Sequence, residues 1–209
     1  LGWGSDPGVD CFPMFVQYGF QYNKKTGTGE LTYLNYFNED GWKIQPADFD
    51  WNYGMMGDGA NKTVYRNGGD DNGNIWVSPA GFYKVTMNTA TFECTITPVT
   101  YDTPPTVYNQ ICITGSFCDW ADQNMIAVNK NGENHVWCYT LNVAEGNTEQ
   151  VKFKIAGSWD TNWGFGSEDG EVNTCGVGKG NGKNIGVPEG TWIIMFNDIT
   201  GEFSITAKP

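Results

Sequence analysis

The sequence predicts an all-β protein built from two tandem, immunoglobulin-like β-sandwich modules. Its apolar runs are short, and clusters of Gly, Asn and Asp separate them, which is typical of strands joined by turns. Several runs alternate apolar and polar side chains, and no stretch of three helical turns has start and stop signals. Blocks of the first half also recur in the second half, which predicts a duplicated module.

The duplication is clearest at the end of each half. Residues 88–97 (NTATFECTIT) align without a gap on residues 197–206 (NDITGEFSIT), and the shared residues are Asn, Thr, Glu, Ile and Thr. Immediately upstream, residues 74–87 and 184–196 share Asn-Ile-x-Val, a Pro, a Gly and an aromatic that starts a strand. The same order of matched blocks in both halves predicts that each half folds alike.

A third matched block lies further upstream and carries polar and aromatic residues. Residues 42–54 (WKIQPADFDWNYG) align on residues 153–164 (FKIAGSWDTNWG) with one insertion. The matched pairs are Lys43 and Lys154, Phe49 and Trp159, Asp50 and Asp160, Asn52 and Asn162, and Tyr53 and Trp163. A chemical pattern that recurs outside any alternating strand favours a binding site over a core.

We expect one module at residues 1–103 and a second at 104–209. Pro104-Pro105 between them makes a stiff, extended spacer. A module of about 100 residues can bury a core of its own, so the two are expected to fold independently. One strand-like run, HVWCYTLNV, places alternate apolar residues on a shared face: Trp137, Tyr139, Leu141 and Val143.

Composition limits the partners of this chain. Its 209 residues include 24 acidic and 12 basic ones, and the net charge of −12 disfavours binding to nucleic acid or to anionic membranes. No apolar run reaches the roughly 18 residues of a membrane-spanning helix. The six Cys contain no CxxC pair, which argues against a structural zinc site. We expect no metal and no cofactor.

Cysteine and histidine positions add two further expectations. Cys112 and Cys138 lie in strand-like runs and are expected to be small buried side chains, whereas Cys118 and Cys175 lie in loops and are either thiols or a disulfide. The chain has a single His, His135, which argues against a His-dependent triad and against a multi-His metal centre. Its place at a strand start predicts a surface or edge residue.

Eight of the nine Trp divide into two groups, and the role of Trp76, which matches Gly186 in the other half, stays open. Trp137 and Trp192 stand in the apolar phase of strands, and Trp42 matches Phe153 in the repeat, so all three are expected in the core. The others of interest stand beside Gly, Asp and Ser, outside any alternating run: Trp3, Trp51, Trp120, Trp159 and Trp163. They either cap the open ends of the sandwiches or form a surface that binds something.

Aromatic side chains rimmed by polar groups are typical of a carbohydrate platform. The C–H face of a sugar ring stacks on an indole, and its hydroxyls need directional partners such as Lys, Asn and Asp. The candidates that follow one another along the chain are Lys152, Lys154, Trp159, Asp160, Asn162 and Trp163. We therefore predict glycan binding here, with the choice between Trp159 and Trp163 as platform left open.

The blocks FKIAGSWDTNWG, ITGSFCDW and NIGVPEGTWIIMFNDITGEFSIT resemble the tandem C-terminal modules of the SusE and SusF starch-binding lipoproteins of Gram-negative gut bacteria. The resemblance covers the second half and the first half from about residue 30. It implies a non-catalytic protein that binds α-glucan at the cell surface. It also implies a lipid anchor in the outer membrane, through an N-terminal segment absent from this chain, beside other glycan-uptake components. We expect a monomer.

The resemblance assigns roles by position in each half. In the second half it implies Trp120 with Trp159 or Trp163 as the platform and Lys154 or Lys152 as the donor to sugar hydroxyls. Asn162 and Asp160 would assist. In the first half the matching candidates are Lys43, Asp50, Asn52 and Tyr53, with Trp51 nearby and Trp3 as the counterpart of Trp120. Phe49 replaces the Trp159 equivalent, which leaves open whether the first module binds.

Two other classes of function stay open. One is a structural or adhesive surface protein whose exposed rings only cap the sandwiches. The other is a glycoside hydrolase fragment, which needs two facing carboxylates. Asp50 and Asp160 recur, but the other repeated acids, Glu93 and Glu202, belong to the last strand of each half. An acidic stretch at 67–74 fails the EF-hand pattern, so a calcium site is not predicted.

Overall fold

The chain is all-β, and the prediction of β-sandwich modules is confirmed. A computed structural model describes residues 7–9, 11–16, 29–44, 52–55, 62–67, 74–91 and 93–209, with the backbone alone for 52–55 and 62–67. Their strands form two antiparallel sheets, one from each half of the sequence, with one short parallel addition in the second.

The first sheet has six strands in the order β1-β2-β5-β6-β4-β3. They are β1 (Phe15–Val16), β2 (Glu30–Phe37), β3 (Asn52–Met55), β4 (Lys62–Asn67), β5 (Gly81–Asn88) and β6 (Glu93–Pro98). Its core contains Trp42, as predicted, together with Phe37, Ile75 and Val85. Trp42 forms an isolated antiparallel bridge with Ile75, outside the six strands, and both side chains are buried in this core.

The second sheet has ten strands among the described residues. They are β7 (Ile111–Gly115), β8 (Gln123–Asn124), β9 (Ile126–Ala127), β10 (Val136–Ile155), β11 (Asn162–Gly164), β12 (Glu171–Val172), β13 (Cys175–Val177), β14 (Lys179–Gly180), β15 (Ile185–Asn197) and β16 (Glu202–Ala207). A single 3-10 turn, Ser116–Cys118, follows β7. No helix in these ranges has the length and apolar character needed to cross a membrane.

The second sheet folds into two layers because β10 and β15 are long enough to belong to both. They pair along most of their length, and the register shifts between Val143 and Thr148. Before the shift β10 lies beside β9, and after it beside β7 and β11. Phe153 and Phe196 come from opposite layers and stack with their ring centroids 4.3 Å apart. One apolar core is thus enclosed between the layers, as in a β-sandwich.

The alternation predicted for β10 matches its burial. Trp137, Leu141 and Val143 lie in the sandwich core, and Tyr139 packs against it. At the start of the strand the opposite face is buried too, because the first sheet packs on it there. The apolar residues that fill this junction between the sheets are Phe15, Val128, Val136, Cys138, Ile193 and Met195.

Asn side chains complete the junction with hydrogen bonds. Asn197 Nδ2 donates to the carbonyl of Leu34 at 2.8 Å, and the amide of His135 donates to Asn35 Oδ1 at 2.9 Å. Buried amides need such partners, since an unpaired polar group in a core is costly. The two sheets therefore share buried surface, and the module boundary near residue 103 stays a prediction.

His135 is fully buried, so the expectation of a surface or edge position is wrong. Its Nδ1 lies 2.6 Å from Asp198 Oδ1 and its Nε2 lies 3.0 Å from Glu133 Oε1. Its ring also lies 5.5 Å from the ring of Phe82 in the first sheet. The strand start is covered because a second sheet docks on it, which no local pattern reveals.

The last hairpin of each half uses the same side-chain hydrogen bonds. Asn88 Oδ1 accepts from the amides of Ala90 and Thr91, at 2.9 and 3.1 Å. Asn197 Oδ1 accepts from the matching amides of Ile199 and Thr200 at the same two distances. Asx turns of this kind explain why Asn recurs at this place in the sequence.

The shared Thr and Glu of these hairpins belong to the same turn. Thr91 Oγ1 donates to Glu93 Oε2 at 3.2 Å, and Thr200 Oγ1 donates to Glu202 Oε2 at 3.0 Å. Both acids therefore act as turn acceptors. In the matched upstream blocks, Tyr83 donates to the Pro79 carbonyl and Trp192 to that of Pro188, at 2.7 and 2.8 Å.

Replacing the two hairpin Asn residues should have unequal effects. Asn88→Ala removes the turn acceptor and should lower the free energy of unfolding by about 1 kcal/mol. Asn197→Ala also removes the bond to Leu34 across the junction and should cost about 2 kcal/mol. Chemical denaturation of both variants measures the difference. Equal losses would mean that the Asn197–Leu34 bond contributes nothing to stability.

Candidate functional site

Trp120 is presented by a strained turn at the end of β7. The 3-10 turn leads into Asp119 and Trp120, whose φ angles are +51° and +62°. The left-handed region is rare for a bulky residue and costs about 1–3 kcal/mol, so such residues cluster at functional sites. Trp120 N donates to the carbonyl of Gly115 at 2.9 Å, which closes the turn. The indole is 37% exposed.

Trp159 stands on the loop that follows β10. Gly157 has a φ of +74°, which glycine adopts without strain and which turns the chain toward β11. Ser158 N donates to the carbonyl of Ile155 at 3.2 Å and tightens the loop. The indole of Trp159 is 48% exposed, and its centroid lies 6.3 Å from that of Trp120 at an interplanar angle of 48°. We call Trp120 and Trp159 the indole pair.

An ion pair between a buried lysine and a more exposed aspartate lies beneath the indole pair. Lys154 is only 2% exposed, and its Nζ lies 5.1 Å from the centroid of the Trp159 ring, over which it makes a cation–π contact. The same Nζ donates to Asp122 Oδ1, while Asp122 Oδ2 accepts from the amide of Gly157 at 2.7 Å. Those hydrogen bonds, first from Lys154 and then from Gly157, hold the pKa of Asp122 below its ordinary value.

Asp122 is the residue that the sequence analysis missed. It follows Trp120 by two positions, in the run CDWADQN, and is an unremarkable loop acid there. Its partners Lys154 and Gly157 are more than 30 positions away along the chain. The one local signal is a lone carboxylate just after a loop tryptophan, which by itself predicts nothing.

Asn162 is buried and supports the Trp159 loop from within. It pairs with Lys154 across β11 and β10, and its Nδ2 donates to the Trp159 carbonyl at 2.9 Å. The same Nδ2 donates to Asn181 Oδ1 at 2.8 Å, and Asn162 Oδ1 accepts from Lys152 Nζ at 3.2 Å. Burial lowers the pKa of Lys152 despite the opposing charge of Asp169. Lys152 itself is half-buried.

Trp163 takes a different environment from Trp159. It packs against the sandwich core, with its ring centroid 5.1 Å from that of Phe196 and 6.1 Å from that of Tyr108. Cross-strand pairing with the core residue Phe153 accounts for this orientation. Asp160, by contrast, is exposed beside Trp159. The structure thus brings Trp159 together with Trp120 and packs the partly buried Trp163 against the core.

Few of the candidate side chains for a matching site in the first half belong to the described residues. Lys43 is half-buried next to Trp42. Asn52 and Tyr53 lie on β3, opposite Asn67 and Arg66 of β4, and their side chains are outside the described part. The remaining candidates also lie outside the described residues: Trp3, Asp50 and Trp51. Their part in a second site stays a prediction.

Other predicted chemistry can be located as well. The Cys118 thiol donates to the carbonyls of Gly115 and Ala121, at 3.4 and 3.1 Å, so it forms no disulfide with Cys175. Cys112 and Cys138 are buried in strands, as predicted. In the described ranges, no group of three His, Cys, Asp or Glu side chains is placed to hold a metal ion.

Comparison with known proteins shows a distant likeness to a solved structure. No protein-family model matches the chain, and no curated protein matches it. Among solved structures, the chain aligns with the crystal structure of SusF from Bacteroides thetaiotaomicron at 15% identity and a TM-score of 0.37. The alignment covers 90% of this chain and 44% of the SusF chain, so the chain spans less than half the length of that protein.

Proposed function

We propose that this protein binds a starch-like α-glucan, without catalysis, through the indole pair. The observation that carries the proposal is the arrangement of Trp120 and Trp159. Two exposed indoles whose centroids lie 6.3 Å apart are tilted by 48° over a polar, hydrogen-bonded base. Large aromatic side chains left in water at adjacent loops are typical of a binding surface.

The tilt of the indole pair favours a curved ligand. Each indole offers its electron-rich face to the C–H groups of a sugar ring. Two rings at an angle fit successive sugars of a helical α-glucan, whereas a flat β-glucan needs coplanar rings. The proposal therefore names a curved, neutral glucan as the ligand.

The polar rim supplies partners for the sugar hydroxyls. Asp160 and Asn181 are exposed next to Trp159, and Lys152 is half-buried beside Asn162. Lys152 is better placed than Lys154 to donate to a ligand, since Lys154 is enclosed by Asp122 and the Trp159 ring. Carboxylates and amides accept and donate in the directions that hydroxyls require.

The proposed setting is the bacterial cell surface. The sequence resemblance supports an outer-membrane lipoprotein that works beside other components of a glycan-uptake system. A single module of this kind binds modestly, and a second site on the same chain would raise the overall affinity through effective concentration. Whether the first half supplies that site depends on Lys43, Asp50, Trp51, Asn52 and Tyr53.

Affinity electrophoresis tests the proposal directly. Gels containing amylopectin, pullulan, dextran, xylan or β-glucan are run with the wild-type chain and with Trp120→Ala and Trp159→Ala. We expect amylopectin to retard the wild type and each replacement to weaken binding by about tenfold, equivalent to about 1.4 kcal/mol. Trp76→Ala is the matched control, because Trp76 is 50% exposed on the first half and outside the proposed site.

The other outcomes discriminate between functions. Retardation by no polysaccharide, with no change in tryptophan fluorescence, would favour a structural or adhesive protein. Release of reducing sugar from a glucan would indicate a hydrolase. Retardation by xylan or β-glucan alone would contradict the inference from the tilt of the indole pair.

A further inference from the structure

We infer that Asp122 and Lys154 are positioning residues that set the angle of the indole pair and so select the conformation of the bound glycan. This inference rests on the proposed function, and it assigns to Lys154 a task other than donation to the sugar. The ion pair beneath the rings would then determine which glycan conformation binds, although neither of its residues contacts the ligand.

Asp122 links the two loops that carry the rings. It is covalently close to Trp120, two residues along the same loop, and it accepts from the amide of Gly157 at 2.7 Å, two residues before Trp159. Its second oxygen accepts from Lys154 at the end of β10. One carboxylate thus connects the Trp120 turn, the Trp159 loop and the rigid strand below them.

Lys154 transmits this connection to the Trp159 ring. Its ammonium lies 5.1 Å from the ring centroid, and the residue is only 2% exposed. A buried ammonium needs an opposite charge, so its position is dictated by Asp122. The attraction between the cation and the ring face then favours one tilt of the indole over others.

The backbone on the Trp120 side depends on the same anchor. Asp119 and Trp120 both hold left-handed φ angles, which persist only where the surroundings impose them. Upstream, the turn is held by the bond from Trp120 N to Gly115 O. Downstream, Ala121 N donates to the Cys118 carbonyl at 3.0 Å, and Asp122 is the next residue whose side chain is bonded to the Trp159 loop. Loss of the Asp122 bonds would leave the downstream end held within its own turn but no longer tied to the Trp159 loop, so that Trp120 could shift relative to Trp159.

The test compares ring geometry and binding in the same set of variants. Two indoles this close give an exciton couplet in circular dichroism, which Trp120→Phe and Trp159→Phe each identify by removing it. Asp122→Asn should diminish the couplet and weaken binding to amylopectin by about tenfold, while Lys154→Arg, which keeps the charge, should retain both. Asp102→Asn is the matched control, because it removes one carboxylate from an exposed linker position.

A second pair of variants covers the case in which Asp122→Asn does not fold. Lys154→Met keeps an unbranched side chain under Trp159 but removes the charge. The double variant Asp122→Asn with Lys154→Met leaves no buried charge unpaired. Both should lose the couplet and bind amylopectin about tenfold more weakly than the wild type.

Failure of this inference is distinguishable from failure of the proposed function. An unchanged couplet and unchanged binding in Asp122→Asn and Lys154→Met, with binding still lost in Trp159→Ala, would overturn the positioning role alone. If the wild type binds no glycan, the proposed function falls. The couplet then still decides whether Asp122 and Lys154 set the ring angle.

Discussion

Trp163→Ala should lower the free energy of unfolding by about 3 kcal/mol, because the partly buried side chain packs a large ring against the sandwich core. Its ring packs on Phe196, with centroids 5.1 Å apart, and on Tyr108, so its removal takes a large apolar contact away from both rings. Trp159→Ala should change stability by no more than about 1 kcal/mol, since that ring is 48% exposed. Chemical denaturation of both variants measures the two changes.

The same two variants should differ in the opposite direction in their binding to glycan. Under conditions in which both are folded, Trp163→Ala should keep its retardation by amylopectin, and Trp159→Ala should lose most of it. Trp163→Phe serves as a milder control, because it keeps an aromatic ring against Phe196. A Trp163→Ala variant of unchanged stability that no longer binds would make Trp163 the platform and would refute the present assignment.

Asp198→Ala should lower the free energy of unfolding by about 4 kcal/mol at mildly acidic pH, which is the loss typical of a broken buried ion pair. The Asp198 carboxylate accepts from His135 Nδ1 and from Trp137 Nε1, each at 2.6 Å, inside the junction. Its removal leaves two buried donors without these acceptors. Burial alone would lower the pKa of His135, but hydrogen bonds from its ring to Asp198 and Glu133 outweigh burial and raise the pKa above 6.5.

The sign of the pH effect follows from that shift. A His whose pKa is raised on folding adds stability that is fully present below about pH 6.5 and is lost as the pH rises through the raised pKa. The free energy of unfolding of the wild type should therefore fall across that range, by at most about 1.4 kcal/mol per pH unit. The chain contains one His, so no other imidazole contributes.

Denaturation at a series of pH values checks both parts of this expectation. The difference in free energy of unfolding between the wild type and Asp198→Ala should become smaller as the pH rises, because a neutral imidazole gains less from the carboxylate than a charged one. Asp102→Ala removes an exposed carboxylate, and its free energy of unfolding should change with pH in the same way as that of the wild type. A wild-type stability that rises with pH between about 6.5 and the raised pKa would contradict a charged, paired His135 in the folded state.

Local patterns were sufficient for the strands and the hairpins. Alternation placed Trp137 and Leu141 in the core, where the structure has them. The recurring Asn, Thr and Glu at 88–93 and 197–202 are the donors and acceptors of one turn. Each of these features depends on residues only a few positions apart, so the sequence displays them directly.

The choice between Trp159 and Trp163 could not be made in the same way. Asn162 and Trp163 are consecutive on the short strand β11, so they point to opposite faces whatever the fold. Which face is the core depends on the register with β10, where Phe153 meets Trp163 and Lys154 meets Asn162. A strand of three residues is too short for its own alternation to fix that register.

The sequence by itself determined the all-β class, the core positions of the long strands and a chain region rich in aromatic and polar residues. Only the tertiary structure decided that Trp120 and Trp159 form a tilted pair and that Asp122 and Lys154 lie beneath it. It also decided that His135 is buried. The reason is physical: turns and alternation arise from near neighbours along the chain. The orientation of a loop indole and the burial of a strand end depend on contacts with residues more than 30 positions away along the chain.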